Sequence, residues 1–183
     1  MLRGILYVSF CLYIVMYIVF IFVIDMVHIP LSVSSIFVVF IPFVLLVMIQ
    51  RAILYVSKNR NEEKKQMLGG GLIVALIPLI VCTVQLSVNE YTSKFNQNRW
   101  LNHADKRVHM VDDLLQKYKL KGKSNEEITQ LLGAPTETRS GGEGVITLYY
   151  LGTERGFIPI DSEQLILQFD RDGKVMEYTV HKD

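Results

Sequence analysis

Charge is what the first half of this chain has least of. From Gly4 to Ile24 there is none, and with the tyrosines counted as apolar the one polar side chain in that run is Ser9. Cysteine is nearly as scarce. The chain has two, Cys11 and Cys82, both inside apolar runs, which leaves the second half with neither a disulfide nor a thiolate metal site. A net charge of +1, with no polybasic block in the second half, gives no footprint for nucleic acid or for electrostatic docking on a membrane. No serine, cysteine or threonine stands with a recognisable base and orienting group, and no paired carboxylates stand apart from the surface background, so the pattern is not that of an enzyme. The glycine-rich stretch Ser140-Gly141-Gly142-Glu143-Gly144 precedes a strand-like run and opens no helix. It therefore lacks the setting of a phosphate cradle and reads as a mobile loop. No cofactor motif is present.

What the first half does have is three long apolar runs: Gly4 to Ile24, a second within Ile29 to Val56 that is least polar from Ile36 to Ile49, and Met67 to Val88. As a helix, the first run rises roughly 31 Å, the thickness of a bilayer's hydrocarbon core. The expectation is an integral membrane domain over 1–88 with helices at about 4–24, 30–56 and 67–88. Basic residues set its orientation. Of six in the first 88 positions, five (Arg51, Lys58, Arg60, Lys64, Lys65) cluster in or beside the 57–66 loop, whereas Asp25 to Ile29 holds none. The positive-inside rule puts the 57–66 loop and the amino terminus in the cytoplasm and the second half outside it. Lys94 and Arg99 argue weakly the other way. Val81 stands before Cys82 where a lipidation signal needs a small residue, which speaks against a lipid anchor there. Pro42 and Pro78 are expected to kink their helices, and Gly69-Gly70-Gly71 to allow close helix packing.

From Asn89 onward charges return, apolar positions become periodic and turn residues appear. Residues 89–106 read as a linker and the start of a first soluble helix, which extends from about Leu101 to Tyr118 with an apolar face formed by Val108, Val111, Leu115 and Tyr118. Ser124-Asn125-Glu126-Glu127 is a capping box opening a short helix whose buried face is Ile128, Leu131 and Leu132, closed by Gly133 and Pro135. The period then changes from about 3.6 to 2. Val145 to Leu151, Leu165 to Phe169 and Val175 to Val180 read as three antiparallel strands, the last two joined by a hairpin at Asp170-Arg171-Asp172-Gly173. The fold class expected over 107–183 is a small α+β domain, two helices packed on a three-stranded antiparallel sheet.

The run Gly122-x-Ser124-x-x-Glu127-Ile128-x-x-Leu131-Leu132-Gly133-x-Pro135, then Leu148-Tyr149-Tyr150, then Leu165-Ile166-Leu167-x-Phe169-Asp170-x-Asp172-Gly173-Lys174-Val175, resembles the SmpA/OmlA (BamE-like) envelope domains. The related β-lactamase-inhibitor-like modules share the layout. The resemblance covers roughly Arg107 to Val180, and Trp100 with Arg107 and Met110 resembles the lead-in of small lipoproteins of this type. It implies a helix pair on a three-stranded sheet, acting as an extracytoplasmic, non-catalytic module that binds an envelope or membrane protein. Three helices in place of one lipidated cysteine depart from the family's anchor, so outer-membrane assembly is not carried over.

Several residues invite a chemical reading. Asp25 with His28, and Asp105 with His103 and His109, have carboxylate–imidazole spacing but too few ligands for a metal. Asp170-x-Asp172-Gly173 begins like a calcium loop and lacks its later ligands. The expected contact surface is the segment Gly152 to Ile160, apolar where a connection is ordinarily polar, with Tyr149, Arg155, Phe157 and Ile158 as candidate contact residues. The competing expectation is that Phe157 and Ile160 fold back onto the domain's own core. The leading function is a membrane-tethered binding or accessory module with no cofactor. The alternative is a sensor or subunit whose helices make the main contacts.

Overall fold

Hydrocarbon offers no partner to backbone N–H and C=O groups, so a segment able to cross it must satisfy its own, and a helix does so. A computed structural model describes residues 2–56, 62–141, 144–156 and 160–182. Helix α1 spans Leu2–Val27, α2 Val33–Val56 and α3 Glu62–Ser93. All three are long and apolar enough to cross a membrane, which fits a membrane protein. The expected 57–66 loop lies partly outside the described residues, and its end is already helical because α3 begins at Glu62. At the other end α3 runs past Val88 to Ser93, taking up part of the expected linker. Among the described residues, a Cβ built on Gly69, Gly70 or Gly71 meets nothing within 4 Å, so no helix of this chain packs closely on them there.

The chain divides into two compact units, Met1–Glu90 and Tyr91–Asp183. In the first, a core forms from Tyr13, Tyr17 and Ile24 of α1, Val39 and Leu46 of α2, and Ala75, Leu79, Cys82 and Leu86 of α3. Asn89 closes one end, its side-chain amide donating to the Ile24 carbonyl at 3.1 Å and the Ile29 carbonyl at 3.0 Å. Much of the remaining described surface of this unit is apolar, including Phe37, Val38, Ile41, Val44 and Leu45.

The second unit begins with α4 (Gln97–Asn102), a single 3-10 turn (Ala104–Lys106) and α5 (Arg107–Lys117). The one helix expected from Leu101 to Tyr118 is therefore broken near His103, whose non-helical backbone (φ −132°, ψ 77°) ends α4. Tyr118 is likewise extended and ends α5. Helix α6 (Asn125–Leu132) starts at the capping box: Ser124 accepts from the Glu127 amide at 3.2 Å, and Glu127 accepts from the Ser124 amide at 2.8 Å. Gly133 ends it at a positive φ of 81°.

The sheet has four strands, not three: β1 (Glu137–Gly141), β2 (Gly144–Thr153), β3 (Ser162–Phe169) and β4 (Val175–Lys182), antiparallel in sequence order. The extra strand takes in Ser140 and Gly141, the first two residues of the 140–144 stretch expected to be a mobile loop. Its residues are polar and give no apolar alternation, but they pair with β2 in register from Glu137 opposite Leu148 to Gly141 opposite Gly144. An edge strand facing water needs only backbone pairing on one side. A register shift between Gln168 and Phe169 also sets which residues of β4 face the core. It sets Val175 opposite Phe169, so Val175 lies in the core with Tyr178 and Val180, while Met176 is exposed. A bulge inserts one residue and inverts the parity that alternation alone would assign.

Helices α4–α6 cover one face of the sheet. Trp100, Val108, Val111, Leu114, Ile128 and Leu132 meet Tyr149, Leu151, Leu165, Leu167 and Phe169 there. Gly152 allows a close approach of the 3-10 turn to β2: its φ is +124°, and a Cβ would lie 2.2 Å from the Asp105 carbonyl oxygen.

Candidate functional site

Strand β3 places Glu163, Leu165, Leu167 and Phe169 on its helix-covered side, because alternate side chains share a face. The last three are core residues. Glu163 is a carboxylate in the same row and is fully buried. A buried charge persists only when it is paired and hydrogen-bonded, and Arg155 supplies both functions. Its Nη2 lies 2.8 Å from Glu163 Oε2, while its Nε and its backbone N–H reach Oε1 at 3.2 and 2.9 Å. The other guanidinium nitrogen, Nη1, donates to Asp112 on α5. Lys182 at the end of β4 brings a second positive charge 3.7 Å from Glu163 Oε1 and 3.9 Å from Glu154 Oε2. Burial pushes the Glu163 carboxyl upward, but the Arg155 bonds and charge outweigh it, with Lys182 adding to them, and hold it below the ordinary glutamate range. Burial lowers Arg155, and its bonds to Glu163 and the Asp112 charge more than compensate. The cluster ties Arg155, just after β2, to the sheet and to α5.

Near the start of the unit a second polar centre forms around Asp113, whose side chain is 13 % exposed. It accepts from the Phe95 amide at 2.7 Å and pairs with Lys117 at 2.7 Å and Lys94 at 3.9 Å. Burial raises its pKa; the Lys117 and Phe95 bonds and the two lysine charges reverse that and leave it below the usual aspartate value. Phe95 packs against Trp100 and Tyr118 with ring centroids 5.7 and 5.3 Å apart. Arg99 donates to the Tyr91 and Lys94 carbonyls at 3.0 and 2.8 Å, serving acceptors at the carboxyl-terminal end of α3. Arg107, 8 % exposed, donates to the Trp100 and Tyr150 carbonyls at 2.8 and 3.3 Å and stacks over the Trp100 ring at 5.3 Å.

The four candidate contact residues do not share one environment. Tyr149 is 1 % exposed, with its ring in the core and its hydroxyl donating to the Gly133 carbonyl at 3.1 Å. Burial pushes that phenol up to about 12 despite the opposing influence of Arg107 and Thr129. A surface partner cannot touch Tyr149 without lifting α6. Arg155 is half-buried and committed to Glu163 and Asp112. Phe157 and Ile158 lie outside the described residues. Ile160, which follows them, is 79 % exposed.

Sequence reasoning missed the Arg155–Glu163–Asp112–Lys182 cluster, yet half of it had a signal. Counting back by twos from Phe169 through Leu167 and Leu165 reaches Glu163, a carboxylate in a buried row that demands a cation. Asp112 and Lys182 had no such signal, since both are polar residues in polar surroundings until the fold brings them together.

The sheet face away from the helices carries Ile146, Leu148 and Tyr150 of β2 beside Ile166 of β3, flanked by Gln164, Gln168, Glu177 and Thr179. It is bordered by the exposed Glu137–Arg139 ion pair of β1. Asp170 uses its carboxylate within the β3–β4 turn, accepting from the Asp172 and Lys174 amides at 3.0 and 2.8 Å. Among the described residues no group of three or more His, Cys, Asp or Glu side chains is placed to hold a metal ion. Comparison of the chain with protein-family models, curated proteins and solved structures returned no match.

Proposed function

We propose that the chain is a non-catalytic binding or assembly accessory module of the cell envelope, held in the cytoplasmic membrane by α1–α3, with its α+β unit on the extracytoplasmic side. The observation that carries this reading is the junction of three membrane-length apolar helices with a small antiparallel sheet covered by helices on one face. Orientation rests on the five basic residues at 51–65 and the positive-inside rule. The resemblance to SmpA/OmlA-like domains supports a protein partner, and the helix-on-sheet layout agrees with what that resemblance implies, with β1 as an addition to it. The partner-facing surface is the open sheet face around Tyr150 and Ile166, together with the 152–160 segment.

The test is the side of the membrane on which Ser140 lies. With Cys11 and Cys82 replaced by alanine and Ser140→Cys introduced on the exposed edge strand β1, an impermeant thiol reagent should label intact cells. Labelling only after lysis would place the unit in the cytoplasm and end the envelope reading.

A second reading, an accessory subunit that works through its helices, draws on an apolar groove along α2 lined by Ile36, Phe37, Phe40, Ile41, Val44 and Leu45. A membrane partner that still co-purifies after residues 97–183 are deleted would favour it.

A further inference from the structure

The sheet has two edges, and they differ. At β4 the first residue is already taken: Val175 donates to the Lys123 carbonyl at 2.9 Å and accepts from the Gly122 amide at 2.8 Å. Strand β1 is the other edge, and among the described residues no backbone pairs with its outer side. Edge strands are ordinarily guarded against a second chain by proline, a bulge or repelling charges. Glu137–Gly141 holds no proline and pairs with β2 in unbroken register. It carries one charge of each sign, Glu137 and Arg139, with side chains 49 % and 61 % exposed.

The register shows which backbone groups are free. Gly141 lies opposite Gly144 across two intervening residues, and a pair so close to its turn exchanges both of its backbone hydrogen bonds. Bonded and non-bonded pairs alternate from there, so Arg139 with Ile146 and Glu137 with Leu148 are bonded pairs as well. Thr138 and Ser140 therefore turn their N–H and C=O groups to the open edge. Glu137 and Arg139 lie on the sheet face away from the helices, and Thr138 between them is exposed.

Charge order selects one way for this edge to meet itself. In an antiparallel pair with a two-fold axis through Thr138, Glu137 stands opposite Arg139 of the second copy, and Arg139 opposite Glu137. Thr138 faces its own counterpart and exchanges both backbone bonds, so the two charge pairs beside it are of the closer, non-bonded kind. Unlike charges directly opposed favour such a pairing. Moving the axis to Glu137 or to Arg139 sets like charges face to face, which opposes it. Moving it to Ser140 leaves Arg139 opposite Gly141.

We infer that β1 is a docking edge for a second copy of this chain, paired antiparallel about Thr138, so that two four-stranded sheets join into one. Each Glu137 then lies between Arg139 of its own chain, already bonded at 2.6 and 2.9 Å, and Arg139 of the second copy. The interface is isologous, one patch used twice. The open faces of both copies lie on the same side of the joined sheet.

Disulfide trapping in the full chain tests the register. With Cys11→Ala and Cys82→Ala, in membranes from expressing cells under a mild oxidant, Thr138→Cys should give a covalent dimer, because the two positions face each other at a Cα separation of about 5.5 Å, within reach of a disulfide. Ser140→Cys should give none, because its counterpart lies four positions along the strand, roughly 14 Å away. On the Thr138→Cys background, Glu137→Arg sets Arg against Arg and Arg139→Glu sets Glu against Glu, so each alone should lose the dimer. Co-expressed with different tags, these two chains should form a mixed dimer, since every opposed pair is then unlike. A role confined to the ion pair within one chain would not be restored between chains. No dimer from Thr138→Cys, as much dimer from Ser140→Cys, dimers indifferent to the charge changes, or no mixed dimer would each overturn the inference. Should Thr138→Cys fail to fold, co-purification of two tagged copies carrying the charge changes alone and in combination must follow the same pattern, or the inference fails.

Discussion

The two units solve the burial problem in opposite directions. In the helical unit large apolar side chains point outward, Phe37 at 66 % and Leu45 at 51 % exposure, and tyrosine hydroxyls and an asparagine amide are kept inside. In the α+β unit leucines such as Leu165 and Leu167 are wholly buried, and most charged groups lie at the surface. Water drives apolar groups together in the second unit, at about 25 cal/mol per Å² removed from contact. A bilayer, which the three helices of the first are long and apolar enough to cross, gives no such drive, and there packing and interhelical hydrogen bonds must hold helices together. The same residue type should therefore carry different weight in each unit.

The sharpest way to break that comparison is to truncate one leucine in each. Leu165→Ala should cost about 3–5 kcal/mol, because a sealed core keeps the cavity. Urea unfolding of the full chain in detergent, followed by fluorescence of Trp100, the sole tryptophan and a core residue, would measure it. Leu45→Ala on the outer face of α2 should leave the urea dependence of Cys82 protection unchanged, because lipid or detergent fills the space. Equal losses would mean that the face of α2 is covered by protein.

A smaller effect is expected at the buried carboxylate. Arg155→Ala leaves Glu163 buried with only Lys182 nearby. Breaking a buried pair from one side ordinarily costs about 3–5 kcal/mol, and the remaining lysine and the partial exposure of Arg155 should bring this to about 2–3 kcal/mol. Adding Glu163→Leu should recover most of the loss in the same Trp100 assay. A helical-unit readout, Cys82 protection, should not respond to either change.

Acid should act on the same contacts more gradually. Glu163 and Asp113 have depressed pKa values in the folded chain, from ordinary values of 4.5 and 3.8. Their contribution is fully present above those ordinary values and is lost as pH falls through the lower, folded ones. The Trp100 unfolding midpoint should therefore hold at neutral pH and decline below about pH 4.5. Glu163→Gln should flatten that decline. A decline that begins near pH 6 would instead implicate histidine.

The smallest change is Ser124→Ala, which removes one half of the capping box. It should lower stability by about 1 kcal/mol in the Trp100 assay, and Ser124→Asp should restore most of it.

Local elements were legible wherever one short signal decided them. The three apolar helices follow from uncharged length, and α6 follows from Ser124, Glu127 and Gly133, each of which acts through backbone groups a few residues away. The break near His103 was not legible, because apolar spacing continues across it while Trp100 and Val108 both turn into the core. Strand β1 was hidden for the opposite reason. It buries little, so Glu137 to Gly141 shows no alternation, and only pairing with β2 makes it a strand. The candidate contact residues show the same limit. Tyr149 and Tyr150 are neighbours in sequence, and the pleat sends one under α6 and the other to the open face.

By itself, then, the sequence determined the division into an apolar helical part and a mixed α+β part, since solvent preference is a property of each side chain. It also determined the turns and caps, whose hydrogen bonds close over three or four residues. Only the tertiary structure decided which polar groups meet: Arg155 with Glu163 and Asp112, Tyr17 with the Val39 carbonyl, Tyr13 with the Ala75 carbonyl. Those contacts join residues 8 to 62 positions apart. Their energy depends on distance and burial, which no local pattern in the chain encodes.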